Sequence, residues 1–464
     1  MSTTDNNFAL DVFNTQKSDQ IFCVDSSGDS VTYNDLESSV RKFAHVLKSK
    51  HGVVPGTRVA MALEDTVHWP VTFLAIILLG ANPVLLFSNM VKKDMDFVLT
   101  SSDAQLIVSD HPESTFKSVT TKELIDSKEE HTAAHNWDDE RPCWWALSSG
   151  SGGSYKIIVH NHASFKKLYT FANTAVGVSS SDVVLCTAKM SFPYGLAQMY
   201  WVLKNGATLC LIEKTPAPSL VFRMIKRHSV TRLNVGPYLL NAMCASKNKF
   251  DLTGTKIICS GEYLSDDLRA KVKQHLGSSV YDTYGATEVW TTISFQNDPA
   301  TNDAGEILDG VETKIVDGEL YIKHPVQAMG YWNAPELTRK VFQKDWVATG
   351  DSVEITNNRI KFLGRVDNMI KIKGTFVSLL DIEDAIRSCP NVDECIVVVA
   401  HNGAIQNLLA KVKFVSKDPG VSALRKHLRT ILPSDKIPKH IEQVSELPKT
   451  INNKLKRELA KLQK

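Results

Sequence analysis

Several features that would assign the chain to a class at once are absent from its 464 residues. None of the eight cysteines forms a Cys-x-x-Cys pair or a spacing typical of metal ligands, which favours buried thiols over a disulfide framework. No basic block and no acidic tail is present, and the formal net charge is only +2, so nucleic acid is not an expected partner. The N-terminus lacks the pattern of a secretory signal, and the most apolar stretch, 69–87, contains Pro70, Gly80, Asn82 and Pro83, which would break a spanning helix. These absences predict a cytoplasmic protein without a membrane segment.

What is present is the composition of a globular protein with more than one domain. Hydrophobic residues make up 43% and charged residues 22% of the chain, and its length exceeds that of one ordinary core. Apolar periodicity predicts helices at 32–48, 67–79 and 219–228, and strands at 58–62, 81–86, 105–108, 182–186, 232–235 and 256–259. This alternation predicts an α/β fold with parallel sheets covered by helices.

The pattern changes near Gly364, after a predicted strand at 359–362. Beyond it, strands at 376–378, 395–399 and 409–415 and helices at 380–388 and 421–431 form an α+β unit of about a hundred residues, a common domain size. We therefore expect two domains, 1–363 and 364–464. The basic tail at 449–464 is expected to be a solvated terminal helix.

Two segments carry residue types suited to phosphate. Residues 148–156, SSGSGGSYK, combine small and hydroxylated residues whose backbone can present N–H groups to phosphate oxygens, and Lys156 adds a positive charge. This segment does not match G-x-x-x-x-G-K-[ST], and alone it is equally compatible with a surface loop. In the second segment, 284–288, Thr287 and Glu288 suit a phosphate oxygen and its Mg²⁺, although a single such turn is more often only a surface feature.

Two further segments complete the set. Asp351 follows a tight glycine turn and can accept hydrogen bonds from a ribose diol, with Arg365 donating to the same sugar; the alternative is an ordinary surface ion pair. A lysine within 448–457, PKTINNKLKR, can offset the charge that builds when two anions meet, whereas in isolation a solvated basic helix is the more common explanation.

In this order, the four segments resemble the adenylate-forming superfamily of acyl- and aryl-CoA synthetases, peptide-synthetase adenylation domains and beetle luciferases. The resemblance runs from about residue 8 to residue 464 and includes IKGTFV at 372–377 and GYWNAPE at 330–336. The segments 148–151, 159–162 and 192–196 are most similar to benzoate-type aryl-CoA ligases. The resemblance implies a large N-terminal domain of two helix-covered sheets plus a small distorted β-barrel, and a small mobile α+β C-terminal domain.

The resemblance also implies roles for individual residues, with ATP, Mg²⁺ and CoA as cofactors. The residues expected to hold the β- and γ-phosphates are Ser148, Ser149, Gly150, Ser151, Gly152, Gly153 and Lys156. Those expected to flank adenine are Ser260, Gly261, Glu262, Asp282, Thr283 and Tyr284, with Tyr284 stacking on the base. Thr287 is expected to contact the α-phosphate and Glu288 the metal, while Asp351 and Arg365 bind the ribose. Lys454 is the expected adenylation lysine and Asp367 the hinge, about which rotation brings the 371–374 loop, with Gly374, to the site for the thiol step.

The chain departs from the family pattern in the phosphate loop. Gly152 stands where a second Thr is usual, Tyr155 where Pro is usual and Ile157 where Gly is usual, so that one hydroxyl donor is lost. Ala348 replaces a basic residue before Thr-Gly-Asp, and Asn453 replaces the Gly before Lys454. These changes suggest a specialised or slow enzyme.

The expected acid is aromatic. Segment 192–194, FPY, has no carboxylate to pair with an α-ammonium group, which disfavours an α-amino acid. By resemblance the acid pocket is lined by Tyr194, Pro237, Tyr238, Thr283, Trp290, Thr291 and Thr292, although some of these residues can be ordinary core. Aromatic walls suit a flat ring, and the threonines are expected to donate to a hydroxyl or amino substituent.

The sequence thus predicts a monomeric or homodimeric aryl-CoA ligase that makes an acyl-adenylate from an aromatic carboxylic acid and ATP, and then transfers the acyl group to CoA. Two alternatives remain open. The acceptor can instead be the phosphopantetheine of a carrier protein, which we expect to be a separate partner since the 464 residues include no carrier domain. Alternatively, the chain is a non-catalytic relative that binds an acid or acyl-adenylate as a sensor or scaffold.

Overall fold

The helices form where apolar residues recur along the sequence with helical spacing. The computed structural model describes residues 6–15, 18–110, 116–149, 155–214, 216–246, 250–290, 292–366, 369–372, 375–402, 405–415, 420–432, 436–449 and 455. Within them the helices are α1 (Phe8–Thr15), α2 (Tyr33–Ser49), α3 (His68–Leu78), α4 (Lys92–Ser101), α5 (Thr121–Ile125), α6 (Ala163–Val176), α7 (Pro193–Asn205), α8 (Pro218–His228), α9 (Pro237–Cys244), α10 (Asp266–Leu276), α11 (Pro335–Val341), α12 (Leu379–Arg387) and α13 (Gly420–Ile431). A short 3₁₀ helix spans Thr287–Val289.

The strands are short and mostly apolar. In the N-terminal half they are β1 (Ile21–Val24), β2 (Ser30–Thr32), β3 (Arg58–Ala62), β4 (Asn82–Leu85), β5 (Leu106–Ser109), β6 (Ser118–Val119), β7 (Pro142–Ser149), β8 (Tyr155–Asn161), β9 (Val183–Cys186), β10 (Thr208–Cys210), β11 (Arg232–Val235) and β12 (Lys256–Cys259). They continue as β13 (Val280–Gly285), β14 (Thr292–Phe295), β15 (Glu306–Ile307), β16 (Glu312–Val316), β17 (Glu319–Lys323), β18 (Gly330–Tyr331), β19 (Phe342–Gln343), β20 (Trp346–Ala348), β21 (Asp351–Thr356) and β22 (Arg359–Arg365). The last are β23 (Met369–Ile372), β24 (Thr375–Ser378), β25 (Val392–Asn402), β26 (Ile405–Phe414) and β27 (His440–Gln443).

Two large sheets organise the first three quarters of the chain. One has the order β2-β1-β10-β9-β11-β12-β13-β14-β15-β22-β21, and the other has the order β18-β8-β7-β4-β3-β5-β6. Strands β1, β10, β9, β11, β12 and β13 are mutually parallel, as are β7, β4, β3, β5 and β6. The predicted parallel sheets are therefore confirmed, with antiparallel strands added at their edges.

Helices cover both sheets. The largest core lies between the sheets and contains α3 and α7, whose side chains are buried nearly all round. In β3, Val59 and Met61 face this core, whereas Ala60 and Ala62 face the opposite side with α4, as the two-residue period of a strand requires. Helices α8, α9 and α10 cover the other face of the eleven-stranded sheet. The apolar stretch 69–87 is thus a buried helix and strand, as predicted.

Two smaller units complete the fold. The sheet β16-β17-β20-β19 encloses, together with β14, β15, β21 and β22, a separate apolar core, in the position of the expected distorted barrel. After residue 366, α12 and α13 pack on the β25-β26-β27 sheet around their own core. The mixed α/β fold with a large N-terminal part and a small C-terminal part is confirmed. All eight cysteines are buried free thiols.

Candidate nucleotide and acid site

The phosphate loop joins two antiparallel strands. Strands β7 and β8 pair Ser148 with Lys156 and Ser149 with Tyr155, so the residues that flank the expected phosphate-binding segment lie side by side. The Lys156 Nζ lies 5.7 Å from the centroid of the Tyr331 ring, within range of a cation–π contact. Because Tyr331 belongs to β18, which pairs with β8, the sheet itself fixes this neighbourhood.

The Thr287–Glu288 turn is held from the same sheet. The Nε2–H of buried His160, on β8, donates to the Thr287 carbonyl at 3.1 Å, and burial lowers the pKa of His160 to about 3, so the ring is neutral. The hydroxyl of Tyr331 donates to Glu288 Oε1 at 2.7 Å. The other carboxylate oxygen of Glu288 can bind a ligand. The Lys156 ammonium group lies over the ring of the same residue, Tyr331. A half-buried carboxylate beside Lys156, the lysine expected to bind phosphate, fits Mg²⁺, which binds one or two carboxylates together with substrate phosphates.

The expected ribose residues form one hydrogen-bonded group. Asp351 and Arg365 face each other in the β21–β22 ladder, and Arg365 Nη1 lies 2.8 Å from Asp351 Oδ1. Tyr284, near the end of β13, donates its hydroxyl to Asp351 Oδ2 at 2.6 Å. Burial raises the pKa of Asp351, and the charge of Arg365 opposes this shift. Each carboxylate oxygen keeps lone pairs for further donors, which fits a diol.

The other residues expected around adenine are engaged differently. Asp282 lies 3.2 Å from Arg269 Nη2 and accepts the backbone N–H of Thr283, so its carboxylate serves an internal ion pair. Burial raises the pKa of Asp282 to about 7, opposed by the charge of Arg269. Ser260 donates to the Thr283 carbonyl at 3.4 Å, and the neighbouring Gly261 and Glu262 are exposed.

A cavity lies between α6, α7 and the eleven-stranded sheet. It is lined by Val176, Tyr194, Gln198, Trp201, Asn234, Ile258, Thr283, Thr292 and Phe295. Tyr194, Thr283 and Thr292 are among the residues expected in the acid pocket, and the structure brings them together. The cavity has room for about one water molecule in this conformation, so a ring enters only when lining side chains move.

The remaining expected pocket residues lie elsewhere. Trp290 is fully buried among Trp144, Phe165 and Tyr200, and its Nε1–H donates to the Pro193 carbonyl at 3.2 Å. Its ring therefore belongs to the core and does not line the cavity.

Two other pocket residues lie at the start of α9. Pro237 is buried, whereas Tyr238 is 45% exposed and has the Lys449 Nζ 4.5 Å from its ring centroid. The Thr283 hydroxyl donates to the Ser294 carbonyl at 3.0 Å. Thr283 can consequently only accept a hydrogen bond from a substrate, contrary to the expectation that it donates.

Sequence reasoning missed Gln198, Trp201 and Asn234. A signal was available, because Gln198 and Asn234 are amides within mostly buried elements, in α7 and β11. Polar residues in buried elements need partners, so each such residue marks either a hydrogen-bonded network or a site.

Some expected residues lie outside the part of the chain that the structure describes. These are Gly150, Ser151, Gly152, Gly153, Thr291, Asp367, Gly374 and Lys454. Of the tail at 449–464, only Lys449 and Leu455 are described, and they form an isolated bridge. Among the described residues, no group of three or more His, Cys, Asp or Glu side chains is arranged to hold a metal ion. In the same residues, every helix is too short or too polar to cross a membrane.

Comparisons with known proteins agree with this arrangement. The sequence model of the AMP-binding enzyme family matches residues 10–332, and that of the AMP-binding enzyme C-terminal domain matches residues 381–454. A benzoate–CoA ligase of Thauera aromatica is 29% identical, over 94% of this chain and 91% of that protein. A 4-hydroxybenzoate–CoA/benzoate–CoA ligase of Rhodopseudomonas palustris is 26% identical, over 93% of this chain and 88% of that protein. The crystal structure of a benzoate CoA ligase from Burkholderia xenovorans superposes with a TM-score of 0.89 at 26% identity, over 98% of this chain and 99% of that one.

The chain belongs to the AMP-binding enzyme family, because the family model covers more than half of its length. The expected similarity to benzoate-type aryl-CoA ligases is confirmed by the relatives that it matches over nearly their whole length.

Proposed function

We propose that the protein is an AMP-forming aryl-CoA ligase, which activates an aromatic carboxylic acid with ATP and transfers the acyl group to CoA. The observation that carries this proposal is the meeting of three parts around β13: the Asp351–Arg365–Tyr284 group, the Thr287–Glu288 turn and the cavity beneath Thr283. A nucleotide group and an acid cavity on the same strand suit a reaction that joins an acid to a nucleotide. The benzoate and 4-hydroxybenzoate named for two relatives support an aromatic acid.

In the first step, one oxygen of the acid carboxylate bonds to the α-phosphorus of ATP, the bond to the β-phosphate oxygen breaks, and pyrophosphate leaves. Asp351 and Arg365 would hold the ribose, and Thr287 would contact the α-phosphate. Glu288 would hold Mg²⁺, which neutralises phosphate charge when bound. By resemblance Lys454, outside the described residues, would offset the charge of the two approaching anions.

In the second step, a thiolate attacks the acyl carbon, the acyl–phosphate bond breaks and AMP leaves. We propose CoA as the thiol, with residues 1–363 and 364–464 acting as two domains and Asp367 as the hinge between the two steps. The whole reaction consumes one ATP and yields AMP, pyrophosphate and a thioester.

The proposal is tested by pyrophosphate release from the purified protein. We expect release that requires ATP, Mg²⁺ and an aromatic acid together, and that is lower with α-amino acids and with short aliphatic acids. A broad acid panel that releases no pyrophosphate above the acid-free rate would contradict the proposal.

The acceptor is tested separately. Pre-formed aryl-adenylate supplied with free CoA should give aryl-CoA, whereas a phosphopantetheinylated carrier protein should be a poor acceptor. Thioester formation only with the carrier would replace CoA as the acceptor and leave the adenylation step in place.

A further inference from the structure

The cavity contains a buried amide with one unsatisfied end. Asn234, on β11, is 1% exposed, and its Oδ1 accepts the hydroxyl proton of Tyr194 at 2.8 Å. Its Nδ2 is buried and has no hydrogen-bond partner among the described residues, and Asn234 lines the cavity. A buried donor without a partner costs free energy on the order of 1–3 kcal/mol, so its retention in a cavity indicates a ligand acceptor.

The strand register places this amide at the far end of the cavity. Asn234 pairs with Ile258, and Ile258 pairs with Tyr281, whereas Thr283 lies two residues further toward the carboxyl end of β13. Two residues of strand correspond to about 6.6 Å. Since the nucleotide residues follow Thr283, an acid whose carboxylate faces them directs the opposite edge of its ring toward Asn234.

The surroundings of Asn234 favour an electron-rich acceptor. Arg232 lies on the same face of β11, two residues deeper, and donates to the Val176 and Gly177 carbonyls at 2.7 and 2.9 Å. Its Nη1 also lies 3.9 Å from Asp182 Oδ2, and its buried Nε has no hydrogen-bond partner in the part of the chain that the structure describes. The Tyr194 hydroxyl donates its hydrogen bond to Asn234 Oδ1, and its oxygen keeps lone pairs that can accept. A ring hydroxyl would accept from Asn234 Nδ2 and donate to the Tyr194 oxygen, which satisfies both groups.

We infer that Asn234 is a specificity-determining residue that selects aromatic acids with a hydroxyl group on the ring edge opposite the carboxylate, at the meta or para position. This inference rests on the proposed function and adds to it the substituent and the residue that recognises it. A methyl group of similar size fills the same space but leaves Nδ2 unpaired.

The experiment compares hydroxyl with methyl at matched ring positions. Values of kcat/KM for pyrophosphate release are measured with 3- and 4-hydroxybenzoate against 3- and 4-methylbenzoate, for the wild-type protein and for Asn234→Leu, which has similar size and no amide. We expect the wild type to prefer hydroxyl to methyl by at least about tenfold at one position, and Asn234→Leu to lose that preference. A ratio near one in the wild type, or an unchanged ratio in Asn234→Leu, would overturn the inference.

Two further variants serve as a matched control and as an independent test. Asn205→Leu is the matched control: its amide bonds Asn173 and the Trp201 carbonyl outside the cavity, so the hydroxyl-to-methyl ratio should stay at the wild-type value. Tyr194→Phe removes the hydroxyl that orients Asn234, and should also lower the hydroxyl-to-methyl ratio. If Asn234→Leu does not fold, the ratio measured for Tyr194→Phe tests the inference in its place. Absence of pyrophosphate release with every acid would contradict the proposed function instead, which separates the two failures.

Discussion

Asp351 accepts hydrogen bonds from two protein donors, Tyr284 at 2.6 Å and Arg365 at 2.8 Å. These contacts orient both carboxylate oxygens and offset the cost of burying the charge, which by itself raises the pKa of Asp351. Tyr284, which was expected to stack on adenine, has its hydroxyl committed to this group, and its ring lies 6.1 Å from that of Phe362. The proposed ribose site is therefore ordered by the protein's own contacts.

Replacing Asp351 with Asn tests this site. The amide keeps an acceptor for Tyr284 but loses the charge that Arg365 binds and one acceptor for the diol. We expect the KM for ATP in pyrophosphate release to rise about tenfold or more, since hydrogen bonds to charged groups contribute roughly 1.5–3 kcal/mol. The matched control is Asp303→Asn, which breaks an ion pair with Arg359 at 2.7 Å, at the other end of β22, and should leave this KM unchanged. Equal ATP KM values for Asp351→Asn and wild type would refute the assignment.

His324 gives a prediction for pH. Its Nε2–H donates to the Thr292 carbonyl at 3.0 Å and its Nδ1 accepts from Val326 N, so the ring is neutral, and burial lowers its pKa to about 4. Because this pKa lies below the unfolded value of about 6.5, the folded state resists protonation, and stability is lost as the pH falls from 6.5 toward 4.

The measurement is the free energy of unfolding from pH 7.5 to 4.5 for wild type and His324→Gln, whose amide can make the same two hydrogen bonds. The wild type should lose up to about 1.4 kcal/mol per pH unit more than the variant below pH 6.5. Parallel pH profiles would show that His324 does not titrate in this way.

The resemblance of the ordered motifs to the adenylate-forming superfamily was sufficient to predict that Asp351, Arg365, Thr287 and Glu288 belong to one region. Side-chain direction was not predictable, because it depends on register. The β13–β14 pairing shifts between Tyr284 and Gly285, and beyond that irregularity Trp290 turns into the core. For the same reason the hydroxyl proton of Thr283 is used within the sheet.

Among the elements, the turn between β20 and β21 positions the Asp351–Arg365 pair of the proposed ribose site. Gly350 has φ +69°, a conformation that favours glycine, and a Cβ at this position would lie 2.4 Å from Arg365 Nη2. The guanidinium therefore packs directly on the glycine, and this contact fixes its distance from Asp351.

Gly350→Ala should displace Arg365 and raise the KM for ATP several-fold, in addition to a loss of stability of about 1 kcal/mol from the strained backbone. Gly318→Ala is a close control, because Gly318 has φ +80° in the β16–β17 turn and, its chain neighbours aside, no described residue comes within 4 Å of an added Cβ. Both variants should lower the melting temperature, but only Gly350→Ala should affect ATP. If the two variants show the same ATP KM, the contact with Arg365 has no role in binding.

The bounds of strands in the interior were predicted closely, because runs of apolar residues determine where these strands begin and end. The strands 58–62, 232–235 and 256–259 match β3, β11 and β12 to the residue. The C-terminal hairpin was underestimated: the strand expected at 395–399 is part of Val392–Asn402. Its ends carry polar residues that continue the ladder with β26, and pairing between strands extends beyond what hydrophobic pattern shows.

At the scale of the whole molecule, the two regions matched by the family models contact each other directly. The Tyr263 hydroxyl, in the loop before α10, donates to Asp384 on α12 at 2.8 Å. The second contact involves Lys449, which donates to Glu394 Oε1 at 2.6 Å. Its Nζ also lies 4.5 Å from the centroid of the Tyr238 ring. This second contact brings the segment that precedes the proposed adenylation lysine to the start of α9. Helix α9 comes directly after Gly236, which follows β11, and β11 lines the cavity.

Lys454→Ala separates the two half-reactions. If this lysine serves only the first step, the variant should form aryl-adenylate at least about a hundredfold more slowly, as expected for loss of a charge that stabilises the transition state. Thioester formation from supplied aryl-adenylate and CoA should remain near the wild-type rate. Loss of both half-reactions to the same degree, or an unchanged first step, would remove Lys454 from its proposed role.

The central claim, that this site joins an aromatic acid to the α-phosphate of ATP, is tested most directly by detection of the intermediate. The protein is mixed with ATP, Mg²⁺ and 4-hydroxybenzoate without any thiol, quenched within one turnover and analysed by mass spectrometry. We expect protein-bound aryl-adenylate in amounts approaching one per active site, accompanied by an equal amount of pyrophosphate, and its disappearance when CoA is added. Conversion of ATP to ADP and phosphate, or no adenylate with any aromatic acid, would contradict it.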